Sequence, residues 1–188
     1  MGRRRSLAGL LAGACTPLLL ELLASDAKAH PQPPAPSCPG LAAQLAIAVG
    51  MLVLTAAVHT LVTVIQAELS HRPQLEAWCA PHSRRRLLLI MAMALLTALA
   101  LIVEILLWAL VYRGLGLFGG LEDSVYFSGI TFTTVGYGDM TLPHCWRLLS
   151  VAEAVNGVLM AGWSTAQLVY SVQRIMALRL AREGRLPR

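Results

Sequence analysis

Hydrophobic residues along the chain form long runs, separated by segments rich in arginine or glycine. Three runs are long enough to cross a bilayer as helices, and they extend over Leu41–Ala67, Leu87–Tyr112 and Leu148–Gln173. A spanning helix needs about 20 apolar residues, because the hydrocarbon core is about 30 Å thick and a helix rises about 1.5 Å per residue. The pattern predicts an all-α membrane protein with three transmembrane helices.

A fourth, shorter hydrophobic run lies near the amino terminus. It follows three arginines, is interrupted by Pro17 and Glu21, and precedes the small-residue triplet Ala27-Lys28-Ala29. These features are typical of a cleavable signal sequence over residues 1–30. An imperfect but retained first span is the alternative. Both interpretations place the Pro-rich linker 31–40 outside the cytoplasm.

Arginine-rich segments indicate the orientation of the chain. Segments 3–5, 72–86 and 174–188 hold most of the 15 Lys and Arg residues. By the positive-inside rule, loop 68–86 and the basic tail 174–188 are cytoplasmic, in a multi-pass protein of the plasma or inner membrane. The arginines of the tail are expected to contact anionic lipid headgroups. The alternative is that the tail serves only as a topology anchor. Because the basic residues cluster beside apolar runs, no nucleic-acid partner is expected.

The segment between the last two runs is neither polar enough for an ordinary loop nor long enough to cross the membrane. Its apolar part follows Glu122-Asp123-Ser124, and acidic or hydroxyl residues favour the start of a helix. The sequence predicts a short re-entrant helix over 122–133. With Asp139, the acidic residues would also concentrate cations at the outer mouth.

The heptapeptide Thr133-Thr134-Val135-Gly136-Tyr137-Gly138-Asp139 follows that helix. Irregular backbone at membrane depth is tolerated only where it is buried in protein or lines a water-filled path. The heptapeptide closely resembles the selectivity filter of potassium channels of the two-helix pore-loop type, of a prokaryotic kind. The resemblance covers about residues 86–173.

The resemblance implies a homotetramer around a fourfold axis, with outer helix 87–112, pore helix 122–133, filter 134–139 and inner helix 148–173. The helix at 41–67 is an addition to this plan. K⁺, the permeant ion, would bind the carbonyls of Thr134, Val135, Gly136 and Tyr137 and the Thr134 hydroxyl, and no cofactor is expected. Gly138 and Asp139 would shape the outer mouth.

One position departs from the resemblance. Many simple bacterial members of the family carry a pore-helix Glu that bonds the outer Asp, whereas this chain has Ile130 there. We expect Asp139 to find another partner, and the candidates are Tyr126, Trp146 and water.

The last hydrophobic run carries a polar face. Its members recur at steps of three and four residues, which places them on one side of a helix. They are Glu153, Asn156, Met160, Ser164, Gln167 and Ser171. We predict that Asn156, Met160, Ser164 and Gln167 line a water-filled cavity and that Glu153 lies behind the filter; interhelical hydrogen bonding is the alternative. Gly157 and Gly162 are predicted hinge points, with helix packing as an equal alternative.

Two isolated polar residues lie within the predicted spans, and two cysteines lie outside them. His59 and Glu104 are costly in lipid, so both should face protein or water. His59 either senses pH or is a hydrogen-bonded core histidine, the commoner case. Cys38 and Cys145 lie on the same side of the predicted topology, where a disulfide is conceivable, but we expect two unpaired thiols.

These features together predict a subunit of a potassium-selective channel that conducts K⁺ passively. One alternative is a non-selective cation channel, in which the filter relaxes without its usual pore-helix support. Another is a non-conducting assembly or regulatory subunit. An enzyme is not expected, because the chain lacks a Ser/His, paired Asp or metal constellation at membrane depth.

Overall fold

The computed structural model describes residues 37–79 and 81–182, which form helices and short connections with no β-strand among them. The elements are α1 (Leu41–Ser70), α2 (Pro73–Cys79), α3 (Ser83–Gly114), α4 (Leu121–Phe132), a 3₁₀ turn (His144–Trp146) and α5 (Arg147–Arg182). The predicted all-α class is confirmed. The signal-like segment 1–30, linker residues 31–36 and tail residues 183–188 lie outside the described residues.

The long helices extend beyond the predicted spans. Helix α1 continues to Ser70, α3 already begins at Ser83, and α5 runs past Gln173 to Arg182. Hydropathy marks only the part of a helix within the hydrocarbon, whereas backbone hydrogen bonding continues into the interface, where arginine is a good helix former. The predicted loop 68–86 therefore contains α2 and the first turn of α3, and the predicted tail begins as helix.

Helices α1 and α3 are long and apolar enough to cross a membrane. Only 17% and 22% of their most apolar stretches are buried inside the subunit, whereas the core helix of a soluble protein would be mostly buried. Their hydrophobic surface is therefore available to lipid. Helix α5 does not reach the same hydropathy, because buried polar residues such as Glu153 and Asn156 interrupt its apolar sequence.

The end of α3 is fixed by a Schellman motif. The Leu117 N–H donates to the Tyr112 carbonyl at 3.1 Å, and the Gly116 N–H donates to the Arg113 carbonyl at 3.1 Å. Gly116 has a φ of 69°, in the left-handed region that favours glycine. The Arg113 side chain also donates to the Gly119 carbonyl at 2.7 Å. This turn leads the chain directly into α4.

Aromatic side chains form the core between α3 and α4. Trp108 and Tyr112 of α3 are fully buried, and Phe127 of α4 is 4% exposed. The Tyr112 and Phe127 rings meet edge to face, with centroids 5.2 Å apart at 82°, which is a favourable aromatic geometry. Phe118 packs against both rings. This cluster holds the short helix α4 against the long helix α3.

Helix α1 is joined to the other helices by buried polar contacts. Asn156 Nδ2 of α5 donates to Thr55 Oγ1 at 2.8 Å, and His59 Nδ1 lies 2.9 Å from Glu104 Oε1 of α3. Nearer the other end of α1, Gln66 Nε2 donates to a second α3 side chain, the Thr97 hydroxyl, at 2.9 Å. The prediction that His59 and Glu104 face protein is confirmed.

A disulfide corrects one expectation. Cys38 and Cys145 are bonded to each other, with their Cα atoms 5.5 Å apart, so the prediction of unpaired thiols is wrong for this pair. The two cysteines are separated by 107 positions, and only the folded chain shows that they meet. The bond ties the segment before α1 to the 3₁₀ turn before α5. Cys79 is free and buried.

Candidate functional site

The heptapeptide 133–139 follows the carboxyl end of α4 and contains no helix or strand. All seven residues are exposed in the single subunit. Val135 is 52% exposed and Tyr137 is 74% exposed, which is unusual for side chains of this size and apolarity. The segment therefore forms a surface of the subunit.

The backbone of this segment alternates in handedness. Thr134, Gly136 and Gly138 have φ values of 61°, 53° and 79°, whereas Val135 and Tyr137 have no positive φ. In an extended strand successive carbonyls point to opposite sides. A left-handed φ at every second residue turns successive carbonyls toward the same side. Left-handed φ is a genuine outlier for a β-branched residue, and such strain of about 1–3 kcal/mol concentrates at functional sites. Thr134 is such a residue.

Hydrogen bonds connect this segment to the last turn of α4. The Thr134 N–H donates to the Thr131 carbonyl at 3.0 Å, and the Gly136 N–H donates to the Ile130 carbonyl at 3.0 Å. The Thr133 hydroxyl donates to the Gly129 carbonyl at 2.6 Å. Carbonyls at a helix end otherwise lack partners. The segment is thereby held at the end of α4 that carries the partial negative charge of the helix dipole.

The outer end of the segment is braced by one side-chain contact. The Tyr126 hydroxyl donates to Asp139 Oδ2 at 2.6 Å. Tyr126 is therefore the side-chain partner of Asp139. The buried Trp146 indole, another candidate, has no hydrogen-bond partner in the described part of the chain. Because Ile130 cannot bond Asp139, a residue one helical turn earlier takes that role.

A cleft of about 500 Å³ opens beside the heptapeptide. The alternate residues Thr134, Gly136 and Gly138 line one wall of this cleft, and Ile130 of α4 and Val151 of α5 line the others. Val135 and Tyr137 are not part of this lining. The segment therefore presents different residues to the cleft and to the exposed surface.

The polar face of α5 points into the subunit. Asn156, Met160 and Ser164 are 1%, 3% and 6% exposed, and Asn156 and Ser164 contact Thr55 and His59 of α1. A side chain that lines a pore shared between subunits would have to be exposed in one subunit. The predicted cavity-lining role is therefore wrong for these three residues, and interhelical hydrogen bonding is the correct interpretation for Asn156 and Ser164.

Gln167, the fourth predicted cavity residue, is half-buried, and its role stays a prediction. Glu153 is fully buried behind α4, where its carboxylate contacts Ser128 and Tyr112. The sequence predicts a buried position for Glu153 behind the filter, but it does not identify these two partners. The only signal for these partners was the presence of a hydroxyl at each position, on Ser128 and on Tyr112.

The two candidate hinge glycines have different surroundings. A Cβ added to Gly157 would lie 1.8 Å from the Phe132 carbonyl oxygen, so the backbones of α5 and α4 are in direct contact there. The packing interpretation therefore applies to Gly157, and the hinge interpretation is corrected. A Cβ added to Gly162 would meet nothing within 4 Å, so a hinge at Gly162 stays a prediction.

Comparison with known proteins shows that this region is similar to ion channels. Residues 100–174 match the model of a family described as "Ion channel", and this range contains α4, the heptapeptide and most of α5. Protein LctB of Geobacillus stearothermophilus is 41% identical over 54 residues, which are 29% of this chain and 40% of that protein. Protein LctB of Bacillus caldotenax is 42% identical over 50 residues, which are 27% of this chain and 37% of that protein.

The chain thus spans at most two fifths of the length of these curated relatives. No solved structure is significantly similar to it. Residues 100–174 are thus similar to an ion channel family, and helices α1 and α3 are long and apolar enough to cross a membrane.

Proposed function

We propose that this chain is one subunit of a tetrameric potassium-selective channel, in which residues 134–138 form the selectivity filter. The observation that carries the proposal is the alternation of left-handed φ at Thr134, Gly136 and Gly138 in an exposed segment fixed to the end of α4. Stacked carbonyl oxygens from several copies would replace the water shell of a dehydrated K⁺. The segment then has to be shared between subunits around one axis.

Coordination is assigned to backbone oxygens. The carbonyls of Thr134, Val135, Gly136 and Tyr137 bind K⁺ in successive rings, and the Thr134 hydroxyl adds a ligand at the inner end. The carboxyl end of α4 directs its partial negative charge toward these rings. Gly138 and Asp139 shape the outer mouth, where the contact between Asp139 and Tyr126 limits its movement.

Assembly into a tetramer is supported by the surface that one subunit leaves uncovered. Val135 and Tyr137 are more than half exposed, and the adjacent cleft of about 500 Å³ is lined by apolar residues such as Ile130 and Val151. Such a surface in an isolated subunit is typical of a contact with another copy. Anionic headgroups at the cytoplasmic ends of the helices are proposed as lipid partners of the basic residues there.

The test is K⁺ flux from liposomes that contain the purified protein. We expect flux that Ba²⁺ blocks, and a reversal potential in mixed K⁺ and Na⁺ that follows the K⁺ gradient. Gly136→Ala is the matched control, because alanine at a φ of 53° costs about 1–2 kcal/mol although a Cβ would meet no atom within 4 Å in the subunit. We expect that variant to assemble and to lose selectivity.

Three outcomes would contradict the proposal in different ways. Equal permeability to K⁺ and Na⁺ in the unmodified protein would indicate a non-selective cation channel. Stable tetramers that pass no K⁺ would indicate an assembly or regulatory subunit. A monomer as the only species in native membranes would remove the shared filter altogether.

A further inference from the structure

A buried carboxyl group connects helices α3, α4 and α5. The side chains of Glu153 in α5, Tyr112 in α3 and Ser128 in α4 are all fully buried. The Tyr112 hydroxyl donates to Glu153 Oε2 at 2.6 Å, and the Ser128 hydroxyl lies 2.5 Å from Glu153 Oε1. A carboxyl group at this depth is costly unless its oxygens have partners, and here both have one.

The number of available protons determines which hydrogen bonds this network can form. The Ser128 hydroxyl also lies 2.9 Å from the Ile105 carbonyl oxygen, and its single proton can serve only one of two acceptors. Every contact becomes a hydrogen bond when Glu153 is protonated. Glu153 then donates to Ser128, Ser128 donates to Ile105, and Tyr112 donates to Glu153. A glutamine, which offers one donor and one acceptor group, satisfies the same pattern.

A second contact between α5 and α4 lies one helical turn further along. Gly157 follows Glu153 by four positions, and its missing Cβ would lie 1.8 Å from the Phe132 carbonyl oxygen. Phe132 likewise follows Ser128 by four positions. Residues four apart share one face of a helix, so α5 and α4 touch along two successive turns. The position of α5 therefore determines the position of the last turn of α4.

That last turn holds the heptapeptide. The carbonyls of Ile130 and Thr131 accept hydrogen bonds from the N–H groups of Gly136 and Thr134, each at 3.0 Å. A shift of the last turn of α4 is thus transmitted to two alternate residues of the heptapeptide. Sub-ångström displacements are sufficient to disturb ligand geometry at a preorganised site.

We propose that Glu153 is a positioning residue for ion selectivity: by bonding α3 and α4 behind the heptapeptide, it sets the ring geometry at Thr134 and Gly136. This inference rests on the proposed potassium channel function. Glu153 touches no permeating ion. It acts through Ser128 and the last turn of α4, as the neutral, proton-bearing centre of the network.

The test compares two substitutions at one position. Glu153→Gln keeps one donor and one acceptor, and we expect it to keep the K⁺/Na⁺ permeability ratio of the unmodified channel. Glu153→Leu keeps a similar volume but removes both hydrogen bonds, and we expect that ratio to fall about tenfold, as the loss of a buried hydrogen bond can produce. Reversal potentials in reconstituted bilayers give the ratio, and thermal unfolding of the tetramer is measured in parallel.

Gln66→Leu is the control for a merely structural effect. Gln66 is fully buried and bonds Thr97 and the Met93 carbonyl, both on α3. We expect this variant to lower the unfolding temperature and to leave the permeability ratio unchanged. If Glu153→Leu does not assemble, Ser128→Ala and Tyr112→Phe each remove one hydroxyl from the same network and replace it in the test.

The outcomes separate this proposal from the proposed function. Unmodified protein that passes no K⁺ would overturn both. A potassium-selective unmodified channel whose ratio is unchanged in the network variants, or a Glu153→Gln variant that loses selectivity as Glu153→Leu does, would overturn the role of Glu153 alone.

Discussion

Replacing Gly157 by alanine should destabilise the protein, although alanine is the better helix former. The added Cβ would lie 1.8 Å from the Phe132 carbonyl oxygen and 2.7 Å from the Phe132 carbonyl carbon. Ordinary non-bonded contact requires about 3.5 Å, so α5 and α4 would have to separate locally by about 1.7 Å. Both groups belong to the backbone, and no side-chain rotation can relieve the overlap.

The magnitude follows from two opposing terms. Overpacking costs about 1–3 kcal/mol and occasionally more, and a direct backbone overlap belongs at the upper end of that range. The gain in helix propensity from glycine to alanine is about 1 kcal/mol. The net loss is about 2 kcal/mol, which corresponds to a fall of about 5 °C in unfolding temperature for a chain of this length.

Thermal unfolding of the purified protein in detergent measures this loss. Gly162→Ala is the matched control on the same helix, because its Cβ would meet nothing within 4 Å. We expect that variant to be as stable as the unmodified protein, or more stable. A Gly157→Ala variant that unfolds at the unmodified temperature would refute the close approach of α5 to Phe132.

Two further predictions concern the attachment of α1. Replacing Cys38 and Cys145 by serine should lower the free energy of unfolding by about 2–4 kcal/mol, because the disulfide closes a long loop. Thermal unfolding with and without reductant measures this loss. An unmodified protein whose unfolding temperature does not change with reductant would contradict the prediction. Removing only Glu104 from its buried contact with His59 should cost about 1–3 kcal/mol, whereas replacing both residues by leucine should cost less. A double-mutant cycle on unfolding free energies decides this, and additive effects of the two substitutions would argue against the pair.

The sequence determined the membrane character of the chain and the location of the candidate filter. Apolar runs of sufficient length are a local property, and the alternation of glycine with larger residues in 134–138 is written directly in the sequence. The short helix before it was also predictable, because acidic residues precede an apolar stretch of the right length. Even the departure at Ile130 was visible, and it correctly raised the question of a partner for Asp139.

Only the tertiary structure decided which way the polar face of α5 points. A helical period shows that Glu153, Asn156 and Ser164 share one face, but it does not show whether that face meets water or another helix. The answer depends on α1, whose Thr55 and His59 supply the partners for Asn156 and Ser164. The identity of a partner is a property of packing between distant segments.

The same reason explains the disulfide and the role of Gly157. Cys38 and Cys145 are 107 positions apart, and Gly157 and Phe132 belong to different helices, so no local pattern encodes either contact. A sequence records the chemistry that each residue offers over a few positions of backbone. Which groups meet across the fold follows from the balance of burial and hydrogen bonding over the whole chain, and that balance exists only in the folded protein.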